Sequence, residues 1–450
     1  MQPGRGREPS GARQGLPGAA AGPPLSSRAR KRPGVLGRKV TRVTDVSSEE
    51  VPSRPARRSA GAPGWRQVLG LLLGLGLPTA LHVYIGLRLF TSPGWPTPWA
   101  AVGWGLLGLC YVVLLAGFRA ARREPGGFVS RAIQWGAYIW LGAFGIFLTA
   151  VLTSDAIAGV LSLSGVVTDA HALAQGRAAA VLGTVVPAVA FAFVTARGRA
   201  RVERTTVVVK DLGPGLDGLR VVQLSDVHVG PTLDGVWLQR VVDQVNALQP
   251  DLIAVTGDLV DGTVEQLRDQ VAPLAGLKAP LGVYYVTGNH EFYHGARAWT
   301  AEVARLGLTV LQNEHRVVER GGARLVVAGV TDFNAAQIDP QLASRPDLAL
   351  AGAPPDVPRL LLAHQPRTAL SLGGLRVDLQ LSGHTHGGQI FPFMFFVKLQ
   401  QPVVRGLATV AGTRVYTHRG TGYWGPPLRL GPAPEIAALT LVGTPRTVGD

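Results

Sequence analysis

Two hydrophobic patterns divide this chain at about residue 200. In the first part, apolar residues form long runs with almost no charge, each about the twenty residues that a helix needs to cross a bilayer. Four such runs are present: 68–87, 99–118, 133–152 and 178–196. Trp and Tyr lie near several of their ends, as is typical of membrane interfaces. The pattern predicts a transmembrane region with four helices at 67–197.

The second part has short apolar runs that alternate with segments of helical periodicity. We predict strands at 219–224, 252–256, 283–287, 325–329, 360–363, 379–381, 414–417 and 436–442. Helices are predicted at 236–248, 264–274 and 296–306. This order indicates one α/β domain at 205–443, joined to the last span by a basic linker at 198–204. A domain of this size can bury a full core, and the strand-rich later part favours two facing sheets flanked by helices.

Charge is distributed unevenly. The formal net charge is +15, yet residues 205–450 hold 20 Lys/Arg and 21 Asp/Glu, for a net of −1. The arm at 1–66 has 14 Lys/Arg against 4 acids and few aliphatic residues, so we expect it to be disordered. Residues 444–450 are read as a short tail. Because the positive charge flanks the membrane region, we expect membrane lipids as partners and no nucleic acid.

The arginines also predict the orientation in the membrane. They are enriched in the arm, between the second and third spans, and after the fourth span, whereas segments 88–98 and 153–177 carry one arginine each. The positive-inside rule then predicts a multi-pass protein of the cell (inner) membrane with a cytoplasmic catalytic domain. An odd number of spans would place that domain on the extracytoplasmic side instead.

Short polar motifs follow five of the predicted strands, at the strand ends where α/β sheets gather ligands. They are Asp226-Val-His228, Gly257-Asp258, Gly288-Asn289-His290, the isolated His364, and Gly383-His384-Thr-His386. Carboxylate, imidazole and amide donors in this mixture suit a pair of Mn, Fe or Zn ions about 3.5 to 4 Å apart, with Asp258 as the bridging carboxylate. The only cysteine, Cys110, lies far upstream in an apolar run. Such a centre makes a metal-bridging hydroxide available for attack on phosphorus.

These motifs resemble those of the calcineurin-like metallophosphoesterase superfamily, D-x-H, G-D-x-x-D, G-N-H-[ED], a lone H and G-H-x-H, all in order. The resemblance implies a first metal bound by Asp226, His228, Asp258 and His386. It implies a second metal bound by Asp258, Asn289, His364 and His384. His290 would contact the phosphate and help protonate the leaving oxygen, with Asp261 as a supporting carboxylate. A hydrogen-bonding role without proton transfer is the alternative for His290.

Longer strings narrow the resemblance to a bacterial phosphodiesterase-like branch that has transmembrane members. They are Tyr285-Val-Thr-Gly-Asn-His-Glu-Phe-Tyr293, Gly383-His-Thr-His-Gly-Gly-Gln-Ile390 and Gly425-Pro-Pro-Leu-Arg429. The resemblance implies an αββα metallophosphoesterase fold. Arg429 could hold a substrate phosphate or be a solvated loop arginine. Phe292 and Tyr293 could contact a substrate or pack in the core. We expect His294, His315 and His418 to be surface or turn residues.

The sequence thus predicts a membrane-anchored, metal-dependent phosphoesterase. It does not separate a phosphomonoester from a phosphodiester substrate, and membrane tethering suggests a lipid-linked one. A non-catalytic membrane sensor or scaffold that binds a phosphorylated ligand is the main alternative. A transport function of the spans has little support, because His82 is the one ionisable candidate and we expect it at a membrane interface.

Overall fold

The computed structural model describes residue 65, residues 69–70, 72–120 and 127–444. The arm predicted at 1–66, apart from residue 65, and the tail beyond 444 lie outside the described residues. Four helices are long and apolar enough to cross a membrane: α1 (Leu72–Thr91), α2 (Thr97–Ala120), α3 (Phe128–Leu163) and α4 (Ala170–Arg197). Each overlaps one predicted span, so the four-helix prediction is confirmed, although their ends differ from those predicted.

The largest difference lies between the third and fourth spans, where a loop at 153–177 was predicted. Helix α3 continues through this segment to Leu163, and α4 begins at Ala170. The side chain of Asp169 caps α4 by accepting the backbone N–H groups of His171 and Ala172 at 2.9 and 3.0 Å. The connecting segment is therefore only 164–169.

A polar cluster explains why α3 tolerates charge in this extension. The Asp155 carboxylate pairs with Arg88 at 2.9 Å and with Arg177, and it accepts a hydrogen bond from the Tyr84 hydroxyl. The two arginines come from α1 and α4, so the cluster ties three helices together. Charges near a membrane are tolerated when they are paired in this way.

His82 is not at an interface as predicted, because it is buried within the helix bundle. Its Nδ1 lies 2.7 Å from the Pro78 carbonyl oxygen, and its Nε2 accepts the Trp140 indole N–H at 3.0 Å. Its ring also stacks on Phe144. All of its polar atoms are thus paired, and it connects α1 to α3.

The rest of the described chain folds around two six-stranded sheets. The first sheet has the strand order β1-β12-β2-β3-β4-β5, and the second has the order β10-β11-β9-β8-β7-β6. In chain order the strands are β1 (Arg201–Val209), β2 (Leu219–Leu224), β3 (Leu252–Val255), β4 (Val283–Tyr285), β5 (Thr309–Val310), β6 (Glu314–Arg320), β7 (Ala323–Gly329), β8 (Arg359–Leu362), β9 (Leu379–Ser382), β10 (Gly406–Val410), β11 (Thr413–Thr417) and β12 (Glu435–Gly443). Strands β2, β3, β4 and β5 run parallel, as do β7, β8, β9 and β11.

Apolar side chains fill the space between the sheets and cover their outer faces. The inner layer includes Leu219 and Leu252 from the first sheet and Leu360 and Leu379 from the second. Helices cover the outside: α5 (Gly235–Ala247), α6 (Val264–Val271), α7 (Asn289–Tyr293), α8 (Ala296–Arg305), α9 (Pro346–Ala349) and α10 (Met394–Val397). The predicted two-sheet sandwich flanked by helices is confirmed.

The domain begins earlier than predicted. Residues 201–204, assigned to a basic linker, form the first half of β1, which pairs in parallel with β12 over its whole length. Arg201 and Arg204 are exposed at the sheet edge, and Val202 and Glu203 between them are partly buried. Only residues 198–200 separate the last helix from the sheet.

Candidate metal centre

The predicted ligands converge where the carboxyl ends of strands from both sheets meet. Asp226, His228, Asp258 and Asn289 follow β2, β3 and β4 of the first sheet, and the remaining ligands follow β8 and β9 of the second. Their donor atoms form overlapping groups with the spacing that a metal ion requires: Asp226 with His228 and His386, and Asp258 with His364 and His384. The structure therefore brings together residues that are up to 160 positions apart.

The first group surrounds a point between two imidazole rings. The Nε2 atoms of His228 and His386 lie 3.0 Å apart, and His386 Nε2 is 3.4 Å from Asp226 Oδ1. Asp258 Oδ2 lies 3.9 Å from His228 Nε2. Four donor atoms that face one another at these distances suit a divalent cation.

The second group is arranged in the same way around the other side of Asp258. His364 Nε2 is 3.2 Å from Asp258 Oδ2 and 3.2 Å from His384 Nδ1. The buried Oδ1 of Asn289 has no hydrogen-bond partner among the described residues. An unpaired buried oxygen is costly, and a cation would satisfy it. Because Asp258 contacts both groups, it has the position of a bridging ligand.

The backbone at the centre is strained. Five of the proposed ligands, none of them glycine, have φ between 50° and 69°: Asp226, His228, Asp258, His384 and His386. This left-handed region is unfavourable for residues with a Cβ, and such strain concentrates at functional sites. Gly288 allows the Asp258 carboxylate to lie close to the backbone, because a Cβ at position 288 would overlap that carboxylate.

Hydrogen bonds behind the ligands fix the orientation of two rings. His228 Nδ1 lies 2.9 Å from Asp261 Oδ1, and His364 Nδ1 lies 2.8 Å from the Thr256 carbonyl oxygen. When Nδ1 donates to these oxygens, Nε2 is left as the atom that can bind a metal. Asp261 thus has the supporting position that the resemblance implied.

The electrostatics of the centre favour added positive charge. Burial raises the pKa of Asp258, but the charges of His364 and His290 outweigh it and hold that pKa well below its usual value. Burial and the neighbouring His364 lower the pKa of His384 to about 3, so this ring is neutral. A neutral imidazole and an ionised carboxylate are the forms that bind metals.

His290 lies at the mouth of the centre. Its Nδ1 is 2.6 Å from Asp261 Oδ1, and its Nε2 is 3.9 Å from Asp258 Oδ2. Burial lowers the pKa of His290, but the charge of Asp258 and the hydrogen bond to Asp261 more than offset this and raise it to about 9. The ring contacts the exposed side chains of Tyr293 and Trp424, whereas Phe292 is buried in the core.

Glu291 is a structural element of the centre that the sequence analysis did not single out. Its buried carboxylate accepts the backbone N–H groups of Asp258 at 3.1 Å, Leu259 at 2.7 Å and Gly288 at 2.7 Å. It therefore joins the loop that carries Asp258 to the loop that carries Asn289. The acidic residue that follows G-N-H, three positions into a helix start, was the available signal.

Arg429 and His418 differ from their predicted environments. Arg429 is fully buried, and its guanidinium donates to the carbonyl oxygens of Arg419, Gly420, Gly422, His386 and Pro432. The prediction of a solvated arginine is therefore wrong. The guanidinium also has no donor left for a substrate phosphate. Arg429 instead holds the loop that carries His386. His418, predicted as a surface or turn residue, lies directly after β11 and is fully buried. Its Nδ1 accepts the Gly420 N–H at 2.9 Å.

His294 and His315 are partly buried, as residues in turns and strands often are. His294 lies near Asp261 and His290, so that these three form a further potential metal-binding group at the rim. His315 lies on the second sheet, where its Nδ1 is 2.8 Å from the Ala349 carbonyl oxygen.

Comparisons with known proteins identify the family. Residues 219–388 match the sequence profile of the calcineurin-like phosphoesterases. The transmembrane protein with metallophosphoesterase domain of Bos taurus is 38% identical over 408 residues, which cover 87% of this chain and 83% of that protein. The chain belongs to the calcineurin-like metallophosphoesterase family. The branch with transmembrane members, predicted from the longer strings, is confirmed.

Other metallophosphoesterases align over a smaller share of this chain. The Danio rerio transmembrane protein with metallophosphoesterase domain is 38% identical over 58% of this chain and 62% of its own. An uncharacterized metallophosphoesterase of Helicobacter pylori (strain J99 / ATCC 700824) is 39% identical over 54% of this chain and 64% of its own. This chain thus spans less than two thirds of either relative.

Proposed function

We propose that this metallophosphoesterase is a membrane-anchored hydrolase that cleaves a phosphomonoester or phosphodiester with two divalent ions, Mn, Fe or Zn. The observation that carries the proposal is the pair of donor groups linked by Asp258, which belongs to the second group and lies 3.9 Å from His228 of the first. The coordination of one ion would be completed by Asp226, His228 and His386. The coordination of the other would be completed by Asn289, His364 and His384. Bound there, the ions would supply Lewis acidity and an acidified water.

The residues of the chain supply orientation and proton transfer. Asp258 holds the two donor groups together, and Asp261 holds both His228 and His290 in place. His290 Nε2 lies 3.9 Å from Asp258 Oδ2, and from this position it would donate a proton to the leaving oxygen. Because Asp261 contacts the other ring nitrogen of His290, the ring cannot turn away from a substrate.

The position of the centre favours a substrate at the membrane. Loop residues 424–430 of the α/β domain pack against the spans: a Cβ at Gly142 of α3 would overlap Leu428, and the Arg429 N–H donates to the Ala192 carbonyl of α4 at 2.9 Å. We therefore favour a lipid-linked phosphoester, reached from the cytoplasmic side that the arginines predict.

The test is hydrolysis of bis-p-nitrophenyl phosphate and p-nitrophenyl phosphate by the full chain with added Mn, Fe or Zn. We expect metal-dependent turnover that the Asp258→Ala variant loses and that the exposed control variant Asp347→Asn retains. The preferred compound distinguishes diester from monoester chemistry. A folded protein that binds metal but turns over neither compound would contradict the proposal and favour the membrane sensor or scaffold.

A further inference from the structure

An aromatic segment follows directly after the metal-binding loop that carries His384 and His386. It exposes five large apolar side chains within nine residues, and we call these side chains the aromatic lip: Phe391, Phe393, Phe395, Phe396 and Leu399. Leu399 is 82% exposed and Phe396 is 62% exposed. Contiguous exposed apolar surface of this kind marks a site of interaction with a membrane, a ligand or another protein.

The lip is firmly attached to the catalytic loop. Gly388 packs against the backbone and side chain of Met394, the first residue of α10, so closely that a Cβ at Gly388 would overlap it. The Gln389 side chain donates to the Trp424 carbonyl at 2.9 Å and accepts the Trp424 N–H at 3.0 Å. Since Trp424 contacts the His290 ring, these contacts connect the lip segment to the mouth of the centre.

The spans show where the lip lies relative to a bilayer. Arg197 ends α4, and its guanidinium lies 5.1 Å over the Trp135 ring of α3. Trp135 is the eighth residue of α3, and a Trp paired with an Arg near one end of a helix bundle is typical of the headgroup level. Phe393 packs on Gly145, where a Cβ would be 3.4 Å from its ring. Gly145 is about 15 Å farther along α3 than Trp135, at 1.5 Å per residue.

Contacts of residues next to the lip agree with a position of the lip below the headgroup level. Ile390 and Leu428 belong to the same apolar cluster as Ile85 of α1, Ile146 of α3 and Val185 of α4. The part of the α/β domain around the lip therefore lies beside the apolar portion of the spans, where water would be replaced by hydrocarbon.

We propose that the aromatic lip is immersed in the lipid leaflet and binds the hydrocarbon chain of the substrate. The substrate class is then an amphiphilic phosphoester that reaches the centre by lateral diffusion, with its chain along the lip and its phosphate beside His290. This inference rests on the proposed function for its chemistry. The immersion of the lip does not depend on catalysis and is measured separately.

Immersion is tested by fluorescence quenching in the full chain. Cys110, the only cysteine, is replaced by Ala, and a bimane label is attached at Phe396→Cys or, as a matched exposed apolar control, at Leu348→Cys of α9. In phosphatidylcholine nanodiscs, we expect nitroxide-labelled lipid to quench the label at 396 and aqueous iodide to quench the one at 348. Iodide quenching at 396 would overturn immersion. Shielding from both quenchers would also overturn it and indicate a protein contact.

Binding of the hydrocarbon chain is tested with two diesters that share a leaving group. These are hexadecyl p-nitrophenyl phosphate and methyl p-nitrophenyl phosphate. In a Phe395→Ser/Phe396→Ser variant, we expect kcat/KM for the hexadecyl compound to fall about tenfold or more, because apolar contact is lost. The methyl compound should be unaffected, and a Leu348→Ser/Leu370→Ser control should change neither.

The outcomes separate the two proposals. An equal loss on both diesters, or no loss on the hexadecyl compound, would overturn the role of the lip. If the wild-type chain hydrolysed neither these diesters nor p-nitrophenyl phosphate, the proposed function would fail, and quenching alone would decide whether the lip is immersed.

Discussion

Buried polar groups in the helix bundle and at the sheet ends are arranged in opposite ways. In the bundle, Asp155 is paired with two arginines and a tyrosine, and His82 uses both ring nitrogens. At the centre, imidazole nitrogens face one another and Asp258, and the Asn289 oxygen has no partner among the described residues. In the first arrangement the opposite charges pair with one another, whereas the second would be completed by cations. Burial of polar groups alone therefore does not identify a functional site.

Removal of one ring from the centre is expected to have the largest effect on catalysis. His364→Ala deletes a ligand of the second group, which should raise the barrier by several kcal/mol and lower kcat/KM by about 10³-fold. The thermal stability of the helix bundle should be unchanged, because His364 contacts only the α/β domain. Steady-state hydrolysis of bis-p-nitrophenyl phosphate provides the measurement. Activity within tenfold of wild type would show that the second group is not required.

His290→Gln should have the next largest effect, about 10²- to 10⁴-fold on kcat, because it removes a general acid. The loss should be greater for phenyl than for p-nitrophenyl esters, since a poorer leaving group depends more on protonation. His315→Gln, on the second sheet, is the control. An equal loss with both leaving groups would assign His290 to phosphate contact alone.

Glu291→Gln should weaken the centre indirectly, by about 10- to 100-fold in metal affinity. The Glu291 carboxylate accepts hydrogen bonds from three backbone N–H groups. A glutamine amide would turn its own N–H toward one of these donors, and that hydrogen bond would be lost. Titration of the apo protein with Mn measures the affinity. Activity should return at saturating Mn; failure to recover would mean that Glu291 acts on the reaction itself.

Asp155→Asn should affect the bundle and leave hydrolysis within about twofold. Breaking a buried ion pair costs about 3 to 5 kcal/mol, and the cost here is smaller because the Asp155 and Arg88 side chains are 17% and 40% exposed. We expect a thermal midpoint several degrees lower in detergent, with unchanged kcat. Loss of activity at unchanged stability would link the cluster to catalysis and remove the distinction between the two regions.

The strands and the metal ligands could be predicted because their signals are local in the sequence. Strand β2 was predicted at its observed bounds, because Leu219–Leu224 is an apolar run between polar turns. The ligands were found because each one follows such a run, and parallel strands bring their ends to one edge. Local sequence patterns thus predicted most of the fold and most of the metal centre.

Features that depend on distant partners escaped prediction. The extension of α3 into the predicted loop 153–177 was missed, because the arginines that neutralise Asp155 lie on other helices. Arg429 was predicted to bind a substrate phosphate or to be solvated, because its actual partners are backbone carbonyls of loops that only the fold brings near. The exposure of Phe395 and Phe396 was hidden as well, since a phenylalanine-rich segment ordinarily predicts burial.

The metal content of the purified full chain tests the central claim most directly. After loading with Mn and removal of free metal, elemental analysis should give about two ions per wild-type chain. The Asp258→Asn variant should bind fewer, and Asp155→Asn should bind as many as wild type. The two-metal centre would be contradicted if the folded wild-type chain bound one ion or none and the Asp155→Asn variant bound the same number.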